Sequence, residues 1–514
     1  MKRIFHGAAV ITGRRHLGKL EVILDGAVAV EDGRIVDVGD LSRLRERSPH
    51  AVQIGSPSSV LMPGFVDGHH HQGVPPIRLG ARAMSLEHVF THRRSLRGPA
   101  LYEDTLYGAT QLLAGGVTTV NHLHVGRRGP WQQWREDADT VLRAYADAGI
   151  RVNFTFNFRD QNRLLYDGDG WFSRELPSPL AEEMREFLRG QEVPRQAYLD
   201  ELFVGLWESN GRNRDPLARI SLAPHNLHWC SDEAISDIVE TARRYDVHVN
   251  MHLLESPRQK LYAGRRTGTT AIKHLHNLGV LDDRLTLLHA VWATEPDVDL
   301  LAAAKTRVCT SVSSNLLMGS GIAPLNLMHQ RGVPLSLGLD EGGLSGDCDI
   351  FADMRLTQGI HHVPGADSET ITPDLLVEMG TSGAAASTEF RGEIGVLEPG
   401  RFADLLILDW EAVNDPVGPT GPTVVDDLVY KAAKGHIVSV IVGGEEVMHD
   451  GRHSSIDRRA LSRTIGAQLR STPTPEEQRR LALLERVRPY ADGYWSDYGQ
   501  PEPGRPHYVY NNCC

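Results

Sequence analysis

Pro63-Gly64-Phe65-Val66-Asp67-Gly68-His69-His70-His71 sets two imidazoles two residues apart, just where the apolar run Val60-Leu61-Met62 ends. Side chains at i and i+2 of an extended segment share a face, so His69 and His71 can converge on one ion at a strand's C-terminal end while His70 points away. A His-x-His triplet is common on surfaces. Its weight here comes from the rest of the chain.

Three later apolar runs end in a residue of the right chemistry. Val247-His248-Val249-Asn250-Met251-His252 is followed by Leu253-Leu254-Glu255, Leu285-Thr286-Leu287-Leu288 leads into His289, and Leu335-Ser336-Leu337-Gly338-Leu339 leads into Asp340. Imidazole nitrogens and a carboxylate suit zinc or iron(II), and a four-donor set leaves room for water. Taken singly, each residue has a plainer reading as a hydrogen-bonded core histidine or a turn-forming aspartate before Gly342-Gly343.

Their order, His-x-His, then His-x-x-Glu, then a lone His, then Asp, resembles the amidohydrolase superfamily, in particular its deaminase and chlorohydrolase branch. Ser313-Ser314-Asn315-Leu316-Leu317-Met318-Gly319-Ser320-Gly321-Ile322-Ala323-Pro324 is similar to that branch's segment after the seventh strand, and Gly395 to Asp409 is similar to the return strand into the family's small β domain. The resemblance implies one divalent metal, zinc first and iron second, held by His69, His71, His252 and Asp340. Asp340 would also take a proton from water, His289 would steady the tetrahedral intermediate, and Glu255 would shuttle a proton to a ring nitrogen. Binuclear relatives carry a bridging Lys or Glu on the fourth strand, and Ile220-Ser221-Leu222-Ala223-Pro224-His225 has neither. The resemblance marks His225 as a substrate contact and Gln72 as a weaker one, with His122 and His124 in the surrounding core. Thr310-Ser311-Val312 and Asp340-Glu341 depart from the family pattern, so no substrate carries over. The expected reaction is hydrolytic release of ammonia from an amino-substituted N-heterocycle or cyclic amidine. Loss of halide or alkylamine, opening of a cyclic amide, and a non-catalytic scaffold are the alternatives.

The fold read from the sequence is α/β. Strand-like runs near 117, 150, 219, 247, 285, 307 and 335 alternate with helical stretches, which with the first strand makes a (β/α)8 TIM barrel. Short alternating strands at Leu20–Leu24, Ala27–Val30 and Arg34–Val38, and again at Ala403–Asp409 and Ile437–Val442, imply a small β-sandwich built from both chain ends. The expected limits are 1–58 and 396–450 for the sandwich, 59–395 for the barrel and 451–514 for a helical and coil extension assigned to subunit packing. Residues 158–216 form an insertion, either a cover for the barrel or a subunit contact, or else a lid bringing Arg159 or Asn162 to the substrate.

The 514 residues can bury a large core, and the net charge of -12 argues against nucleic acid and anionic membranes as partners. A small-molecule substrate and a homodimer or higher homo-oligomer are expected instead. Five cysteines without regular spacing suit a reducing compartment. With no secretory signal and no apolar run of about 18 residues, a cytoplasmic location is expected. Cys513-Cys514 reads as a frayed end rather than a lipidation site.

Overall fold

The computed structural model describes residues 2–499 apart from 17, 72, 82–83, 126–130, 344–345, 364 and 366–370. Gln72 and Cys513-Cys514 therefore lie outside the described residues.

Eight parallel strands close into the barrel. In order they are Phe65–His70, Val117–His124, Arg151–Phe158, Ala218–Ile220, Val249–Leu253, Leu285–His289, Arg307–Thr310 and Leu335–Leu337. The first four pair in sequence and so do the last four. A bridge between Leu222 and Val249 joins the halves, and one between His70 and Asp340 closes the ring. Nearly every residue on these strands is buried, as a parallel sheet covered by helices requires. All the chemistry-bearing residues lie at the strands' C-terminal ends, the face on which barrels of this kind carry their sites.

The chain ends form two further sheets. Arg34–Asp40, Gly26–Glu31, Arg3–His6 and Val52–Gly55 make one. The other holds seven strands, in which Leu405–Asp409 sits between Ile437–Val442 and Ser59–Pro63. Val28, Val30, Leu61, Leu405 and Ile407 share one buried cluster between the sheets, with Val38 packed against it. The run Val60-Leu61-Met62, read from the sequence as leading into the first barrel strand, belongs here instead. Leu61 pairs with Ile407, and Gly64 turns the chain from one sheet into the other. A continuous apolar run gave no sign of that break.

The extension is helical further than the sequence indicated. Pro475–Asp497 is a single helix containing Pro489. It packs on helix Leu86–Arg94 and on Ser178–Arg189 of the insertion. Trp495 is fully buried; Trp495 and Tyr498 meet Tyr166 edge-on, and Tyr494 meets Trp495 edge-on. Among the described residues no helix is long and apolar enough to cross a membrane.

Barrel and sandwich are tied by one buried ion pair. Arg151, on the third barrel strand, donates from Nε and Nη2 to both oxygens of Asp404 at 2.7 and 2.9 Å, and Asp404 also accepts the Gly443 amide at 2.7 Å. The guanidinium lies 3.9 Å over the Phe402 ring. Breaking a buried pair strands the remaining charge, so Asp404→Asn is expected to cost about 3–5 kcal/mol in chemical denaturation of the full chain. A cost below ~1 kcal/mol would show that the pair does not hold the two parts together.

Candidate metal centre and active site

The first strand delivers His69 and His71 to the barrel mouth, and each ring is fixed by what surrounds it. His71 Nδ1 lies 2.8 Å from the Leu123 carbonyl, and His252 Nδ1 lies 3.2 Å from the His225 carbonyl. A ring nitrogen facing a carbonyl oxygen must carry the hydrogen, so both Nε2 atoms present lone pairs. Those two Nε2 atoms face each other at 3.1 Å. His69 is fully buried and neither of its nitrogens has a hydrogen-bond partner. Asp340 Oδ1 stands 3.6 Å from His69 Nε2 and 3.5 Å from His71 Nε2, while Oδ2 accepts from Ser314 Oγ at 2.5 Å.

Burial, reinforced by the neighbouring histidines, holds His69 and His252 well below the ordinary imidazole range, and burial pushes His71 down to about 4. Burial alone would raise the Asp340 carboxyl, but His71, His289 and the Ser314 hydroxyl outweigh it and hold it low. Neutral imidazoles with converging lone pairs beside an ionised carboxylate are the donor set of a divalent cation. Ligand atoms of His69, His71 and His252 lie within 4.8 Å of one another, as do those of His69, His289 and Asp340. Facing lone pairs on His71 and His252 and the orphaned Nε2 of His69 beside the Asp340 carboxylate suit a cation among them, so these residues fit a metal.

His289 and Glu255 flank this cluster. His289 Nδ1 donates to Asn315 Oδ1 at 2.9 Å, which leaves its Nε2 toward the cavity, 3.8 Å from Glu255 Oε2. Burial pushes the Glu255 carboxyl up to about 7, against the pull of His289. Ser256 caps the helix Pro257–Thr267, which rules out Glu255 as its cap. Three residues here have left-handed backbone: Leu254 at φ 53°, His289 at 73° and Asp340 at 54°. Such non-glycine conformations persist where surrounding structure over-determines them, often at functional sites.

These groups line a cavity of about 220 Å³. His225 is in its wall, and Arg159 Nε donates to its Nδ1 at 2.7 Å while the guanidinium stacks 3.7 Å over Trp229. Burial and the Arg159 charge keep His225 neutral, with its hydrogen on Nε2. Asn162 is not brought to the cavity. Its amide is spent on the His228 carbonyl at 2.7 Å and the Tyr262 hydroxyl at 3.1 Å, which ties the insertion to the loop after the fourth strand and to the helix Pro257–Thr267. His122 bonds Tyr145 at 2.7 Å in the core. Glu341 lines the cavity but is paired with Arg93. Sequence reasoning gave no role to Ser314 and Asn315, although both stand in the motif after the seventh strand.

The amidohydrolase family model matches residues 60–447, and an imidazolonepropionase-like composite domain of bacteria matches residues 26–51. The 5-methylthioadenosine/S-adenosylhomocysteine deaminase of Thermodesulfovibrio yellowstonii is 26% identical, over 86% of this chain and 93% of its own length. The 5'-deoxyadenosine deaminase of Methanothermobacter thermautotrophicus is 25% identical, over 83% and 90%. Among solved structures, an adenosine deaminase from Xanthomonas campestris with bound zinc shares the fold at a TM-score of 0.71, with 23% identity over 90% of this chain and 97% of that one. Atrazine chlorohydrolase from Arthrobacter aurescens, complexed with zinc, does so at 0.73, with 22% identity over 91% and 99%. Barrel, strand-end donors and family match agree, and the chain belongs to the amidohydrolase family of carbon–nitrogen hydrolases.

Proposed function

We propose that this chain is a metal-dependent aminohydrolase releasing ammonia from an amino-substituted N-heterocycle of the adenine type, with one zinc ion held by His69, His71, His252 and Asp340. The observation that carries this reading is Glu255, a buried carboxyl poised near neutrality across from His289 Nε2. The names of the deaminase relatives support the adenine ring, and two structural neighbours with zinc support the metal. Cys230, Cys309 and Cys348 are free and buried, which goes with a cytoplasmic setting.

When bound, the ion supplies Lewis acidity and activates water at neutral pH. Asp340, fixed through Oδ2 by Ser314, accepts the proton that the attacking water gives up. His289, with Nδ1 tied to Asn315, offers Nε2 as the acceptor that orients the incoming oxygen. Glu255 protonates the ring nitrogen beside the amino-bearing carbon, and the proton from Asp340 goes to the amino group. The C–N bond then breaks, ammonia leaves, and the hydroxyl proton of the new oxygen passes to Glu255 as that oxygen becomes the ring carbonyl, which restores the carboxyl group. His225 donates from Nε2 to the ring's far edge.

Elemental analysis of dialysed protein is expected to give about one divalent metal per chain, lost in His252→Ala. Two equivalents, both lost in that variant, would contradict the single site. Glu255→Gln keeps its shape but cannot exchange the proton, so ammonia release from adenosine-type substrates should fall ~100- to 10,000-fold with metal content unchanged. Near-normal turnover by the metal-loaded variant would remove the deaminase reading. Asn315→Leu leaves His289 free to turn, and a drop in kcat of roughly 10–100-fold is expected without loss of metal. An unchanged kcat would show that Asn315 does not orient His289.

A further inference from the structure

Glu255 reaches the cavity from a turn whose backbone is strained, with Leu254 at φ 53°, and such a turn keeps its shape only where its surroundings hold it. The Glu255 amide donates to Gln259 Oε1 at 2.9 Å, and the Gln259 amide donates to Ser256 Oγ at 3.2 Å, the cap of helix Pro257–Thr267. Ser256 Oγ in turn donates to Glu87 Oε1, on helix Leu86–Arg94. Three bonds therefore connect the main chain of the reactive carboxyl to a carboxylate on another helix.

Glu87 is itself a junction, buried at 1% exposure. Its Oε1 also accepts from the Tyr166 hydroxyl at 3.2 Å, and its Oε2 accepts from Arg258 Nη1 at 3.1 Å. Arg258 Nη2 continues to the Trp495 carbonyl at 3.2 Å, and the Trp495 ring meets Tyr166 edge-on. Helix Leu86–Arg94, the insertion, helix Pro257–Thr267 and helix Pro475–Asp497 thus meet at one buried carboxylate–guanidinium pair. Such a pair adds little net stability, because desolvation offsets its attraction, yet removing either partner strands the other charge. Its directional bonds fix where the four segments stand. Glu87, Ser256 and Arg258 are not among the described residues that line the cavity. What they share is the turn that presents Glu255. Burial, then the Asp340 and Glu87 charges, push the Glu255 carboxyl up against the pull of His289, so the same junction bears on its proton.

We propose that Glu87 and Arg258 are positioning residues for Glu255, and that through them the helix Pro475–Asp497 holds in place the carboxyl that moves the proton. This rests on the aminohydrolase reading for what Glu255 does, whereas the anchoring of its turn stands on the hydrogen bonds alone. Trp495 lies beyond residue 447, where the amidohydrolase match ends, so a segment outside that match takes part in orienting the acid.

The test uses the metal-loaded full chain and two readouts. The first is hydrogen exchange of the Glu255 amide, followed on the segment 253–262. Ser256→Ala and Glu87→Leu are expected to exchange at least ~10-fold faster than the parent, while Glu87→Gln, which keeps an acceptor for Ser256, stays within about 3-fold of it. The second is ammonia release from adenosine and 5'-deoxyadenosine. In Ser256→Ala and Glu87→Leu kcat is expected to fall roughly 10- to 100-fold with KM and metal content unchanged. Arg258→Lys keeps the charge opposite Glu87 but cannot fork to the Trp495 carbonyl, and a fall of roughly 3- to 10-fold is expected. In a Glu255→Gln background the same substitutions should change turnover less than ~3-fold, because the group they orient is gone. Parent-like exchange in Ser256→Ala and Glu87→Leu overturns the anchoring, and equal losses of turnover with and without Glu255 overturn the positioning role. Arg258→Lys identical to the parent in both readouts overturns the part assigned to helix Pro475–Asp497. Should Glu87→Leu fail to fold, Ser256→Ala, which leaves both partners of the Glu87–Arg258 pair in place, decides by the same criteria. Faster exchange in these variants of a chain that releases ammonia from neither substrate would refute the aminohydrolase reading and leave the anchoring standing.

Discussion

The seam between the first and last barrel strands is the constraint on which the rest depends. The Asp340 amide donates to the His69 carbonyl at 2.7 Å, and the buried Asp67 carboxylate accepts the Leu339 amide at 2.8 Å and the His69 amide at 3.2 Å. One carboxylate thus holds both strands in register. The fit is close enough that a Cβ at Gly338 would stand 2.7 Å from His69 Cβ. Because the metal-type donors lie on both sides of this seam, the geometry that closes the barrel is also the geometry that brings His69 to Asp340.

Preorganisation then follows from the backbone. The nitrogens of His71 and His252 that face away from the cluster bond carbonyls at the ends of the second and fourth strands, so the sheet itself chooses their tautomers. The left-handed residues at 254, 289 and 340 redirect the chain as it leaves the fifth, sixth and eighth strands, each costing about 1–3 kcal/mol. A barrel whose strands are almost wholly buried can sustain that strain.

How much could be read in advance varied with the kind of signal. The eight strands and their terminal His, Glu and Asp residues were legible because period, residue type and position coincide at each of them. The two-ended sandwich was legible from short alternating runs, yet the break at Gly64 was not, since Val60 to Val66 is apolar on both sides of it and only pairing separates them. Asn162 reads like a substrate contact because it stands beside Arg159 in the insertion, but the loop turns its amide to the His228 carbonyl. Arg94 and Arg480 are 386 residues apart, and nothing in a linear sequence announces that one will meet the other's carbonyl. The aromatic tail read as coil beyond Val487, whereas the helix continues to Asp497 and sets Trp495 against Tyr166, a partner 329 residues away that no local pattern announces.

The helix that carries Arg480 and Leu484 lies past residue 447, where the family match ends. One wall of the cavity therefore comes from outside the segment that the family model matches. Substitutions at Arg480 or Leu484 reshape that wall without touching any residue of the metal-type cluster or any contact that closes the barrel. A lineage can keep its chemistry fixed in the strands and let its diet evolve at the tail.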